Sequence, residues 1–132
     1  MAGYSGTPLP KKLGIGEGSS VALIGAPPSV LDDLPTGVRL KRQARGKAEV
    51  VVAFFVERAE FERRIEPLST MIFPDGGLWV AWPKRASGLD TTMNEHVVRE
   101  VALPLGLVDN KVCAIDDTWS GLRIVWRVDR RT

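Results

Sequence analysis

The stretch EVVVAFFVERAEFERRIEPLSTMIFPDGGLWVAWPK, Glu49 to Lys84, decides the fold. Glu49 to Phe55 is nearly continuous apolar sequence rich in valine. Strands buried on both faces read this way, and such strands are usually parallel with helices covering the sheet. Glu57 to Ile72 then places Phe61, Ile65, Leu68 and Ile72 on one helical face. Arg58, Glu62, Arg63 and Glu66 fall elsewhere, Glu60 with Arg64 is a favourable i,i+4 pair, and Pro67 is positioned to kink the last turns. Pro74-Asp75-Gly76-Gly77 is turn chemistry, and Leu78 to Trp82 is the next buried strand. The whole is one βαβ unit.

Upstream, Met1 to Gly18 is rich in Gly, Pro, Ser and Lys without periodicity and is expected to be an arm rather than a strand. Ser20 to Ile24 suits a buried first strand, closed by Gly25-Ala26-Pro27-Pro28. Ser29 to Leu34 allows barely two helical turns. Val38 to Lys41 is a short basic strand near an edge. Gln43 to Ala48 is short for a parallel crossover, which leaves this strand's direction open. Downstream, Thr92-Met93-Asn94-Glu95 has the spacing of a capping box. The helix it opens would bury Met93, Val97, Val98 and Val101 and end at Pro104 and Gly106. Lys111 to Ile115 and Leu122 to Val128 are strands joined by a hairpin-length link, Asp116 to Gly121.

This order predicts an α/β fold, a shortened Rossmann-like sheet, mostly parallel with a C-terminal antiparallel hairpin. Residues 1–18 form the arm and residues 19–132 a single domain. A parallel sheet with one reversed strand near its end resembles the methyltransferase-type Rossmann variant. The phrase Phe73-Pro74-Asp75-Gly76-Gly77-Leu78-Trp79-Val80 resembles that superfamily's turn into its fifth strand. Four further segments, Gly3 to Leu9, Leu78 to Lys84, Val98 to Lys111 and Asp117 to Leu122, resemble a family of short actinobacterial proteins known as domain of unknown function 3052. That resemblance covers essentially the full length. It implies a stand-alone cytoplasmic domain and transfers no catalytic residue.

At 132 residues the chain can bury a core, and a net charge of +2 does not by itself point to nucleic acid or membrane. The longest apolar run, Val50 to Val56, is far too short to span a bilayer. Met1 to Lys12 lacks an apolar signal core, so no export is expected. The lone cysteine, Cys113, excludes an internal disulfide and fits a reducing cytoplasm. One His and one Cys cannot build a structural zinc site, and no metal is expected. His96 reads as a helical surface histidine. Cys113, with Lys111 on its own face, reads as a core residue, a reactive thiol being the sharper alternative. Asp116 and Asp117 suit a turn, with Mg²⁺ or general-base chemistry as the alternative. Ser5, Ser87 and Ser120 have no triad context, so no catalytic residue is assigned.

A nucleotide-type cofactor needs glycines after the first strand and an acidic residue after the second. Here the first strand ends in one glycine and two prolines, which have no N–H to donate, and the second in Leu40-Lys41-Arg42. No cofactor is therefore expected. Arg39, Lys41, Arg42, Arg45 and Lys47, together with Arg123, Arg127, Arg130 and Arg131, could form one basic edge. Aromatics for stacking bases are not interleaved with it, so nucleic acid is not the expected partner.

In open α/β sheets, ligands bind beyond the carboxyl ends of the strands. That rule selects Gly25, Lys84, Ser87, Thr91, Trp119 and Ser120 as candidate ligand-binding residues. The leading expectation is a non-catalytic binding module for a small anionic ligand or a protein partner. The alternative is a minimal S-adenosylmethionine-dependent methyltransferase, and a further alternative is a nucleic-acid accessory protein.

Overall fold

The computed structural model describes residues 7–28, 30–31 and 33–132. Its elements run α1 (Leu9–Lys12), β1 (Ser20–Ile24), β2 (Arg39–Lys41), β3 (Val50–Phe54), α2 (Arg58–Ile72), β4 (Gly77–Pro83), α3 (Glu95–Ala102), β5 (Leu107–Ala114) and β6 (Trp119–Trp126). The strands form one sheet in the order β2-β1-β3-β4-β6-β5. The first four are mutually parallel, and β6 is antiparallel to both of its neighbours, β4 and β5. It follows that β5 runs with the first four and that β6 is one reversed strand inserted among parallel ones.

β3 is buried at every position because it has strands on both sides and packed layers on both faces. One face carries Val51, Ala53, Phe55, Val80 and Trp82 against Phe61, Ile65, Leu68 and Ile72 of α2 and Val97 and Val98 of α3. The other carries Val21, Val50, Val52 and Trp79 under Leu13 and Ile15. Trp79 and Trp82 thus point to opposite faces, as an odd spacing in a regular strand requires.

β2 is parallel to β1 despite the short link that follows it. The strand is only three residues long, so the chain has little sheet to travel back along before β3. Eight linking residues reach up to about 28 Å when extended, which is ample for that path. The Lys41 ammonium donates to the carbonyls of Arg45 and Lys47, closing the return.

Three sequence expectations shift. Of the segment expected to make two helical turns, Ser29 and Asp32 lie outside the described residues, and the remainder makes turns rather than helix. β5 begins at Leu107 and ends at Ala114, and β6 runs from Trp119 to Trp126, both starting earlier than their apolar runs. β5 is the outer strand, so Asp109, Asn110 and Lys111 can occupy it without being buried, and a register shift between Asp109 and Lys111 breaks the alternation.

The capping box is also replaced. Asn94 is the N-cap of α3, its side-chain oxygen accepting the Val97 N–H at 2.8 Å. Thr92 instead accepts the Arg58 N–H at 2.6 Å and so closes the first turn of α2. Asn and Thr both serve as caps, and spacing alone cannot say which helix a hydroxyl reaches. Asn94→Ala and Thr92→Ala are each expected to lower stability by about 1 kcal/mol in urea unfolding. If Thr92→Ala were silent while Asn94→Ala was not, Thr92 would have no role in starting α2.

Candidate functional site at the carboxyl edge

The carboxyl ends of β1, β3 and β4 and the start of the reversed β6 share one edge of the sheet. At its β1 end, Gly25 adopts φ +67, and a Cβ there would sit 3.3 Å from the Phe54 carbonyl oxygen. Glycine is needed at this position for both reasons. Beyond it, Leu23, Ala26, Pro27, Pro28, Val30, Leu31 and Arg42 line a cavity of about 150 Å³.

Phe54 closes β3, and its ring meets Trp119 edge to face, with centroids 5.1 Å apart and planes at 85°. Trp119 pairs in register with Pro83, and the Lys84 N–H donates to the Thr118 carbonyl at 2.7 Å. Gly25, Phe54, Lys84 and Trp119 therefore mark out one rim across four strands. Asp116 shapes the turn before Trp119, one carboxylate oxygen accepting the N–H groups of Thr118 and Trp119, both at 2.8 Å. This is turn chemistry.

The other sequence-selected residues are disposed differently. The Ser87 hydroxyl donates to the Lys84 carbonyl at 2.7 Å and accepts from the Leu89 N–H. The Thr91 hydroxyl donates to the Val56 carbonyl at 2.5 Å and accepts from the Met93 N–H. Both hydroxyls hold the loop after β4 in shape. Ser120 lies within β6 opposite Trp82. Phe54 was not among the residues selected from sequence. The available signal was Phe54-Phe55 at the end of a strand buried on both faces, where neighbouring rings must diverge.

His96 is 83 % exposed and pairs with Glu100 on its own helix. Burial pushes the Cys113 thiol up from its ordinary value, which disfavours the nucleophilic thiolate. Among the described residues no group of three metal-binding side chains occurs, and no helix is long and apolar enough to cross a membrane. The single basic edge is not formed. β2, which carries Arg39 and Lys41, and β6, which carries Arg123, are separated by three strands, some 19 Å at the usual spacing. Lys47 is itself spent on the carbonyls of Thr70 and Phe73.

No family model and no curated protein matches the chain. Solved structures do. Magnesium protoporphyrin IX methyltransferase from Synechocystis PCC 6803, with bound SAM, superposes with a TM-score of 0.60 at 14 % identity, over 84 % of this chain and 71 % of that one. A SAM-dependent methyltransferase from Aquifex aeolicus gives 0.55 at 12 %, over 86 % and 85 %. The ribosomal protein L11 methylase of Lactobacillus delbrueckii subsp. bulgaricus gives 0.54 at 12 %, over 83 % and 70 %. The fold is that of the S-adenosylmethionine-dependent methyltransferases. This corrects the leading expectation of a non-catalytic binding module: the structural neighbours are methyltransferases, and they favour the alternative, a minimal methyltransferase.

The residues present fit that cofactor in part. Gly25 offers the close backbone approach that the first turn must provide. The end of β2 offers no carboxylate for ribose hydroxyls, and Lys41 there is turned back onto its own loop. The cavity beside Gly25 is also about half the roughly 300 Å³ at which ligand pockets usually begin.

Proposed function

We propose that the chain is a minimal S-adenosylmethionine-dependent methyltransferase whose cofactor lies along the edge marked by Gly25, Phe54, Lys84 and Trp119. The observation that carries this reading is the reversed β6 inserted between β4 and β5, with a positive-φ glycine ending β1. When bound, the cofactor supplies an electrophilic methyl group on a sulfonium. Gly25 would let the backbone approach it. The half-buried Trp119 indole, backed by Phe54, would suit a sulfonium cation, and the Lys84 ammonium would suit the cofactor's carboxylate. The edge brings aromatic surface, the cations Lys84 and Arg42 and the turn-bound Asp116 carboxylate, and the chain's contribution would be to bind and orient the cofactor there. The lone cysteine supports a cytoplasmic setting.

Isothermal calorimetry with S-adenosylmethionine and S-adenosylhomocysteine tests this reading. We expect saturable binding, weaker than a site with a ribose carboxylate would give. Lys84→Ala, at a half-buried loop position, is expected to weaken it about tenfold, the worth of one charge-assisted hydrogen bond. Absence of saturable heat with either ligand in a protein that melts cooperatively would overturn the proposal.

A further inference from the structure

The face of the sheet opposite α2 and α3 holds a second cleft that the proposed cofactor edge does not use. It is lined by Lys12, Leu13, Gly14, Trp79, Asn110, Lys111 and Arg123 and encloses about 260 Å³. Trp79, Arg123 and Lys111 are successive partners across β4, β6 and β5, so their side chains emerge on one face. The Trp79 indole N–H donates to the Leu13 carbonyl at 3.0 Å, which fixes residues 12–14 as the opposite wall. Lys84 lies five residues along β4 from Trp79, some 17 Å at strand rise, so this cleft is remote from the carboxyl edge.

The cleft's charge is one-sided. Among the described residues, Lys12, Lys111 and Arg123 line it and no carboxylate does. Arg131 adds a fourth positive charge near Arg123. Arg123 is half-buried and makes no hydrogen bond or ion pair with a described residue. Burial and Arg131 together push its guanidinium down from its ordinary value. Removing a guanidinium from water without a partner is costly, so an unpaired one facing a cleft suits an incoming anion. The sequence also makes room for it. A Cβ on Gly77 would meet the Arg123 guanidinium, which thus lies directly over this glycine.

We propose that this cleft is a binding site for a phosphoryl group, with Arg123 as the fork donor and Lys111 and Asn110 completing the cradle. A guanidinium with an ammonium and an amide donor matches the tetrahedral oxygens of phosphate. The volume accommodates a phosphate or pyrophosphate but is small for a whole nucleotide. The phosphoryl group can belong to a free phosphorylated molecule or to a polynucleotide backbone.

The test is an NMR amide titration of the full chain with sodium pyrophosphate and, separately, with a mixed-sequence single-stranded oligonucleotide. Saturable shifts are expected at Gly14, Asn110, Lys111 and the Trp79 indole N–H. Arg123→Gln is expected to weaken binding about tenfold or more, the worth of one charge-assisted hydrogen bond. Lys111→Gln, at an exposed position that folding does not need, should weaken it severalfold, and Arg39→Gln on the far edge should leave it unchanged. Saturation by pyrophosphate with little salt dependence assigns the site to a free phosphorylated ligand. Tighter oligonucleotide binding that falls steeply with salt assigns it to a backbone phosphate. Shifts that never saturate with either probe would overturn the site. So would binding that survives Lys111→Gln and a folded Arg123→Gln intact, or that responds equally to Arg39→Gln. None of these outcomes depends on whether S-adenosylmethionine binds.

Discussion

Val52→Asp is expected to leave no soluble, cooperatively melting protein. Val52 is fully buried at the middle of β3, paired with Leu23 of β1 on one side and Trp79 of β4 on the other. Its side chain packs in the apolar layer of Leu13, Ile15, Leu23 and Trp79, so a carboxylate placed there is surrounded by apolar side chains. An aspartate there must be buried ionised, or protonated with its polar oxygens unsatisfied. Either route costs several kcal/mol. The whole stability of a domain this size is about 5–15 kcal/mol, and the methyl packing of valine is lost as well. Val112→Asp provides the contrast. Val112 is 58 % exposed on the outer strand, and the same substitution there should change stability by less than about 0.5 kcal/mol. The readouts are the soluble fraction on expression and circular-dichroism melts. A Val52→Asp protein that is soluble and melts in one transition would contradict the central placement of β3.

The contrast between Val52 and Val112 also shows why some of the fold is legible in sequence and some is not. A strand buried on both faces must be apolar throughout, so β3 and β4 announce themselves, and α2 does the same through its 3.6-residue stripe. β5 has no strand partner on its outer side, so Asp109, Asn110 and Lys111 sit in it without penalty and hide its first half. Trp119 and Ser120 read as turn residues because their strand identity depends on Trp82 and Pro83, which are distant in sequence. The rim was reachable from topology, since the rule of strand carboxyl ends selects Gly25, Lys84 and Trp119. The tasks of Ser87 and Thr91 were not reachable, because their partners are backbone carbonyls brought near by folding. Local chemistry and sheet order point in different directions. The prolines after Gly25 and the basic end of β2 argue against a nucleotide-type cofactor, whereas the sheet order, a property of the whole chain, aligns with methyltransferases. Arg123 escaped notice because a charged residue in a strand ordinarily faces water.

Trp79→Ala should be the most damaging truncation in the chain, and its effect should appear first in the N-terminal arm. Trp79 leads the fully buried side chains ranked by volume, and it lies between the sheet and the arm. Two contributions disappear with it. Large-to-small replacement of a buried tryptophan costs about 3–5 kcal/mol through lost contacts and the cavity left behind. The Leu13 carbonyl also loses the indole N–H that satisfies it. Trp79→Phe separates the two, because it keeps much of the ring and removes only the donor, at about 1–3 kcal/mol for a buried acceptor left unpaired. Leu13 and Ile15 are themselves buried against the same layer, so we propose that residues 7–18 fold as part of the core rather than as an appended arm. On that proposal, Trp79→Ala exposes the peptide bonds after Lys11 and Lys12 to trypsin under conditions where the wild type is protected. Trp79→Phe should give intermediate protection. Urea unfolding followed by tryptophan fluorescence gives the energies, and timed proteolysis with mass spectrometry gives the site. If Trp79→Ala unfolded at the wild-type urea midpoint, the burial of Trp79 would be misassigned. If it lost stability but kept the wild-type cleavage pattern at Lys11 and Lys12, the arm would be held by something other than Trp79.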